Sequence, residues 1–225
     1  MNAIMTSIRS LSLSACLAVA GCAGGVLDEE DILYTAVGAS DAVGIGATPL
    51  TNGYVYLIRD ALEDSGKEVE LINLGIPAAN TDPIEDAVQA FLQTDAEPSL
   101  VTIWVGANDI IDGVDPDDFG DELEEMLSAL RDETPAFIAI ANVPDLTELP
   151  RFVADPDDDV TLERIEAFNQ VIESQADSFD VPVVDLFEED VEDDLVSDVD
   201  GFHPSDAGHR RIADEFLQVI GPELD

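Results

Sequence analysis

Positive charge is almost missing from this chain. Its 225 residues hold one lysine, Lys67, and seven arginines against 51 acidic side chains, for a formal net charge of −43. Nucleic acid is held by clustered lysine and arginine that displace phosphate counterions, so a nucleic-acid partner is excluded. Cysteine is as scarce, with only Cys16 and Cys22, and histidine is limited to His203 and His209. The apolar run Leu11 to Ala20 is too short to span a bilayer. The acids do not mark a disordered tail, because hydrophobic content is an ordinary 46%. They are also spread along the chain, in runs such as Asp28–Asp31, Asp115–Glu125, Asp155–Asp159 and Glu188–Asp194. Such a distribution reads as a solvent adaptation of the whole protein, and points to a salt-rich habitat.

The N-terminus reads as an address. Arg9 supplies a positive start, the apolar run follows, and Val19-Ala20-Gly21-Cys22 closes it. No arginine pair precedes the run, which argues against a twin-arginine signal. A small-residue pair ahead of a cysteine resembles the bacterial lipoprotein cleavage box. That resemblance implies a signal peptide over 1–21, lipidation of Cys22, a short tether over 22–30 and a domain over 31–225. The protein would then sit in the cell envelope, anchored to a membrane and facing outward. The plainer alternative is a secretory signal with an incidental cysteine. On either reading Cys16 leaves with the signal, so the mature chain has no internal disulfide, and its stability must come from its core. A cysteine nucleophile or a cysteine-based metal site is excluded as well.

At this length one domain is expected. Five short β-rich or apolar runs are separated by helical patterns. The strands are predicted over Ile32–Val37, Glu68–Leu74, Leu100–Val105, Ala136–Val143 and Val181–Phe187. Leu100–Val105 is apolar without alternation, as a strand covered on both faces should be. Helical spacing recurs at Tyr54, Leu57, Ile58 and Leu62, and at Ile84, Ala87, Val88 and Phe91. It recurs again over Phe119–Leu130 and at Leu162, Ile165, Phe168 and Ile172. A last helix is capped by Ser205 and stopped by Gly221-Pro222, while Pro144–Asp159 reads as an irregular loop. Strands alternating with helices imply an α/β domain with a five-stranded parallel sheet, helices on both faces and right-handed crossovers.

Parallel strands bring all their carboxyl ends to one edge, where ligands and chemistry collect. Ser40 follows the first strand, Gly75 the second, Asn108 the third, and Asp200 with His203 follow the fifth. A serine hydroxyl becomes a nucleophile when a neutral imidazole takes its proton, and the imidazole needs a carboxylate to orient it. Asp200-Gly201-Phe202-His203 puts acid and base three positions apart on one loop. The oxyanion that forms needs fixed donors, a role suited to the Ser40 and Gly75 N–H groups and the Asn108 side chain. Asn108 could equally be a turn residue, and His209 reads as a packing or hydrogen-bonding residue. The Asp157–Asp159 run lacks the interleaved glycine of a calcium-binding EF-hand loop, so no metal site is expected.

Gly38-Ala39-Ser40, Asn73-Leu74-Gly75, Gly106-Ala107-Asn108-Asp109 and Asp200-Gly201-Phe202-His203-Pro204 together resemble the four blocks of the SGNH (GDSL-type) hydrolases. Asn142-Val143-Pro144-Asp145-Leu146 is also similar to a stretch common in such enzymes. The resemblance implies a flavodoxin-like three-layer α/β/α sandwich. It also implies ester hydrolysis without metal or cofactor, with Ser40 as nucleophile, His203 as base, Asp200 as its partner, and Gly75 and Asn108 as oxyanion donors. Two departures stand out: Ala39 replaces the usual Asp, with Asp41 after the serine instead, and Ala78 replaces the second glycine of the Gly75 block. The Gly-x-Ser-x-Gly elbow of α/β-hydrolases is not met, because Ala42 stands at its last position. The substrate would be a small-molecule, lipid or glycan ester; long acyl chains would need an apolar groove, expected between the loops Ile110–Phe119 and Pro144–Asp159. An acyltransferase or a carbohydrate deacetylase would use the same triad, whereas an envelope binding protein would have no need of all five positions. Nothing in the sequence sets the oligomeric state.

If the acids are a salt adaptation, added salt should relieve their mutual repulsion, since the Debye length falls to about 3 Å near 1 M. The melting temperature should rise from dilute buffer to molar salt, by roughly 2–4 °C for each ~1 kcal/mol relieved. A flat response would remove the salt-habitat reading.

Overall fold

The computed structural model describes residues 31–187 and 192–223. Cys22 and the segments expected to be leader and tether, 1–21 and 22–30, lie outside the described residues. Strand β1 is Asp31–Gly38, β2 Glu68–Asn73, β3 Leu100–Trp104, β4 Phe137–Ala141 and β5 Val183–Val184. They form a single sheet in the order β2-β1-β3-β4-β5, every pair parallel, which is the flavodoxin-like order. Both faces of the sheet are covered, so side chains alternate between two cores rather than between core and water. Ile32, Tyr34 and Ala36 of β1, with Phe137 and Ala139 of β4, enter one core; Val37, Val101, Ile103, Ile138 and Ile140 enter the other.

The first core is closed by α2 (Tyr54–Asp64) and α8 (Asp206–Ile220), through Tyr54, Val55, Ile58 and Leu62 against Ile212, Ala213, Phe216 and Ile220. The second is closed by α3 (Thr81–Leu92), α5 (Pro116–Glu133) and α7 (Leu162–Ser178). Phe119 of α5 meets Phe168 of α7 at a ring-centroid distance of 4.6 Å. Each such buried apolar side chain contributes roughly 1.5–3 kcal/mol. Spacings of three and four put these residues on one stripe of each helix. Leu162 shares that stripe by spacing, yet as the first residue of α7 it is 46% exposed.

Three of the differences from the sequence reading have a local reason. Helix α5 begins at Pro116 rather than near Phe119, because Asp115 caps it by accepting from Asp117 N–H and Pro116 fits the first turn. The Pro144–Asp159 loop contains a short helix, α6 (Pro150–Ala154). Strand β5 stops at Val184, short of the expected Phe187. Beyond it the backbone pairs with a side chain instead of with β4: Asn142 Oδ1 accepts from Leu186 N–H (2.6 Å) and Phe187 N–H (3.0 Å).

The loop leaving β4 is held by a second asparagine. Buried Asn169 of α7 accepts from Val143 N–H through Oδ1 and donates to Val143 C=O through Nδ2, both at 2.8 Å. This pair of bonds completes Val143 much as a neighbouring strand would, and fixes where Pro144 and Leu146 go. Asn169→Leu keeps the volume but strands both Val143 groups away from water, and should cost about 2–4 kcal/mol. The measurement is a denaturant midpoint at unchanged slope. A midpoint equal to that of the wild type would show that the bracket contributes nothing.

Candidate active site

Strand registers align the carboxyl ends: Ala36 pairs with Asn73, Gly38 with Trp104, and Trp104 with Ala141. The chain leaves β1 at Gly38, where any Cβ would lie 2.8 Å from the Trp104 carbonyl oxygen. Ser40 then opens the short helix α1 (Ser40–Val43) and is 5% exposed. As the first helical residue its N–H has no partner within the helix.

Ser40, His203 and Asp200 meet although Ser40 and His203 are 163 positions apart. His203 Nε2 lies 2.9 Å from Ser40 Oγ, and His203 Nδ1 lies 2.6 Å from Asp200 Oδ2. With the Nδ1 proton donated to the carboxylate, Nε2 is left to accept from the serine hydroxyl. Asp200 Oδ1 accepts from the N–H groups of Phe202 (3.0 Å) and His203 (3.1 Å). Partial burial disfavours the Asp200 carboxylate, but the His203 side-chain bond and these two N–H groups outweigh it and hold its pKa below the ordinary value. Asp200 therefore stays ionised wherever the imidazole is neutral.

The loop carrying the pair is tied down from several sides. Ser197 N–H donates to His203 C=O (2.8 Å), Arg151 N–H of α6 donates to Gly201 C=O (2.9 Å), and the Phe152 and Phe202 rings meet edge to face at 5.9 Å. Helix α8 also grips the loop that follows the nucleophile. Asp206 accepts from Thr48 N–H (2.7 Å) and Asn52 Nδ2 (3.4 Å). Fully buried His209 donates from Nε2 to Ile45 C=O (3.0 Å) and accepts at Nδ1 from Tyr54 N–H (3.2 Å). Burial lowers its pKa, so it is a neutral structural imidazole, in agreement with its sequence reading.

Asn108 stands in α4 (Ala107–Ile111), a helix too short for periodicity to disclose. Its Nδ2 donates one proton to Ala79 C=O at 2.8 Å, which orients the amide and leaves its second proton for the cleft. Asp109 braces this helix to α3, accepting from Thr81 N–H (2.9 Å) and Thr81 Oγ1 (3.0 Å). Burial raises the Asp109 pKa in spite of both bonds.

The expectation for Gly75 is not met in one respect: its N–H is already donated, to Asn73 Oδ1 at 2.9 Å. The reason is an Asx-type turn, in which the Asn73 side chain folds onto the backbone two residues on while its Nδ2 donates to Ala42 C=O (2.7 Å). What Gly75 supplies is space: a Cβ there would lie 2.9 Å from Val43 Cγ2 and 3.1 Å from the Ala39 carbonyl oxygen. Ala78, singled out in the sequence as a departure, stands next to the Ala79 carbonyl that Asn108 holds. It adopts φ +60°, the left-handed conformation that favours glycine, in the very position where the family pattern has its second glycine. That departure was the available signal.

Two hollows adjoin the triad. A cleft lined by Ala39, Ala79, Gly106 and Asn108 lies at the oxyanion side. A cavity of about 100 Å³ adjoins it through Asp41, Trp104 and Ala107, which line both, and is walled by apolar residues including Pro144, Leu146, Leu149, Leu186 and Ile212. The Pro144–Asp159 loop thus contributes to an apolar wall as expected. The Ile110–Phe119 loop does not; Asp112, Val114, Asp118 and Phe119 border a polar hollow instead. Among the described residues, the carboxylates that could close on a cation are Glu85, Glu122 and Glu125 on α3 and α5, one oxygen of each within 4.8 Å of the others. None of the three belongs to the triad.

Residues 36–211 match the model of the GDSL-like Lipase/Acylhydrolase family. The chain is 25% identical to Esterase TesA of Pseudomonas aeruginosa over 219 residues, which is 96% of this chain and all of that protein. The fold matches the crystal structure of TesA with a TM-score of 0.70, at 23% identity, over 85% of this chain and 99% of that one. It matches the lipase/acylhydrolase from Enterococcus faecalis with a TM-score of 0.69, at 22% identity, over 86% and 97% of the two chains.

The packing around Gly75 predicts that Gly75→Ala displaces the nucleophile turn, through Val43 and the Ala39 carbonyl. It should lower stability by about 1–3 kcal/mol. Thermal melting and ester hydrolysis measured together check this, and an alanine variant with unaltered melting and activity would refute it.

Proposed function

The chain belongs to the GDSL-like lipase/acylhydrolase family, and from that premise we propose that this ester hydrolase works through an acyl-enzyme on Ser40. The observation that carries the reading is the unbroken relay from Ser40 Oγ to His203 (2.9 Å) and on to Asp200 (2.6 Å). Ser40 Oγ bonds to the acyl carbon as its proton passes to His203 Nε2, and Asp200 stabilises the imidazolium. The negative oxygen of the tetrahedral intermediate is received by Ser40 N–H and by the second Asn108 Nδ2 proton. Collapse breaks the ester C–O bond while His203 returns its proton to the leaving alcohol. Water then attacks the acyl-enzyme and gives its proton to Nε2; the bond from Ser40 Oγ to the acyl carbon breaks as His203 returns that proton to Oγ, releasing the acid and regenerating Ser40. No step needs a cofactor.

The apolar cavity beside the oxyanion cleft supports an acyl portion with hydrocarbon character, carried on a small-molecule, lipid or glycan alcohol. Attachment to the outward face of a membrane through a lipid on Cys22 is supported by the charged start, apolar run and Val19-Ala20-Gly21-Cys22 box. A salt-rich surrounding is supported by the net charge of −43.

Hydrolysis of nitrophenyl acetate, butyrate and octanoate in molar salt tests the reading. Ser40→Ala should lower kcat by roughly 10³-fold or more. Activity retained in that variant would exclude Ser40 as nucleophile. An acetyl-only profile would indicate a deacetylase. Silence of the folded wild-type protein on all three esters would favour an acyltransferase or a binding protein.

A further inference from the structure

Asp41 follows the nucleophile directly, and its side chain lines both the oxyanion-side cleft and the apolar cavity. Trp104 and Ala107 share that position, so an acyl chain running from the cleft into the cavity would pass these three residues. Among the described residues, Asp41 is the sole acid in the cavity wall. Arg211 also lines the cavity and pairs with Glu215 at 3.0 Å. A carboxylate in apolar surroundings is costly to keep charged and dry. An acyl chain passing it would have to strip its water.

We propose that Asp41 is the residue that sets acyl-chain selectivity: ionised, it keeps the passage hydrated and turns long apolar chains away, and protonated, it lets them through. This rests on the serine-hydrolase reading above. Burial pushes the Asp41 pKa up to about 6, against the attraction of His203 and its own backbone N–H and with the help of Asp200. From the other elements packed here, the phenol of Tyr54 on α2, and His209 and Arg211 on α8, complete the titratable and charged surroundings. The two forms of Asp41 therefore exchange within the range where hydrolysis can be followed.

The experiment is the ratio of kcat/KM for nitrophenyl octanoate to that for nitrophenyl acetate, from pH 5 to pH 8 at constant salt. It is measured for the purified protein and for Asp41→Asn and Asp41→Leu. Taking the ratio cancels the ionisation of His203, which both esters need equally. In the wild type the ratio should fall about tenfold as pH rises through the Asp41 transition, the discrimination expected of one desolvated polar group. In Asp41→Asn it should be flat with pH, and in Asp41→Leu flat and higher than in the wild type at pH 8. A wild-type ratio that does not change with pH overturns the proposal even if neither variant folds. So does a pH-dependent ratio that survives in Asp41→Asn. Absence of hydrolysis of both esters by folded wild-type protein would overturn the underlying reading, and is distinguishable because no ratio would then exist.

Discussion

The hydrogen bond between Ser40 and His203 joins residues 163 positions apart, and everything described here serves to place its two ends. A parallel sheet does most of that work, because register alone puts the exits of β1, β3 and β4 on one line. Each strand needs cover on both faces, which the two cores provide, and that cover makes the exits rigid platforms rather than free loops. The acid and base add a local economy. Asp200 and His203 share a loop and are joined by two hydrogen bonds within it, so only one long-range distance has to be met.

The sheet, the two layers of helices and the triad were all readable beforehand, for a physical reason. Strands buried on both faces lose alternation, helices covering them keep spacings of three and four, and parallel topology converts five strand ends into one edge. Where the reading fell short, the deciding event was a side chain acting as backbone. Asn142 captures Leu186 and Phe187 and so ends β5 early; Asn73 captures the Gly75 N–H and so takes it from the oxyanion. No periodicity reports such captures. Short helices α4 and α6 escape for a different reason, since five residues are too few to display a stripe. At Ala78 the residue type concealed the conformation: a glycine would have announced a left-handed turn, while alanine bears a cost of roughly 1–2 kcal/mol to adopt it.

The acidic composition and the site meet at one residue. Most of the carboxylates are held in water, where charge is cheap and salt screens it. Asp41 is of the opposite kind, half-buried beside the nucleophile, where burial is the largest influence on its ionisation. One chain thus holds a surface whose energy follows ionic strength and a site acid that follows pH.

Helix α8 has a mechanical consequence. Through Asp206 and His209 it holds Thr48, Asn52, Ile45 and Tyr54, while its capping residue Ser205 stands two positions after the base. The nucleophile's loop and the base's loop are hitched to the same rod. Swinging or sliding of that rod carries both partners along, so the 2.9 Å gap is insulated from slippage of this helix over its sheet.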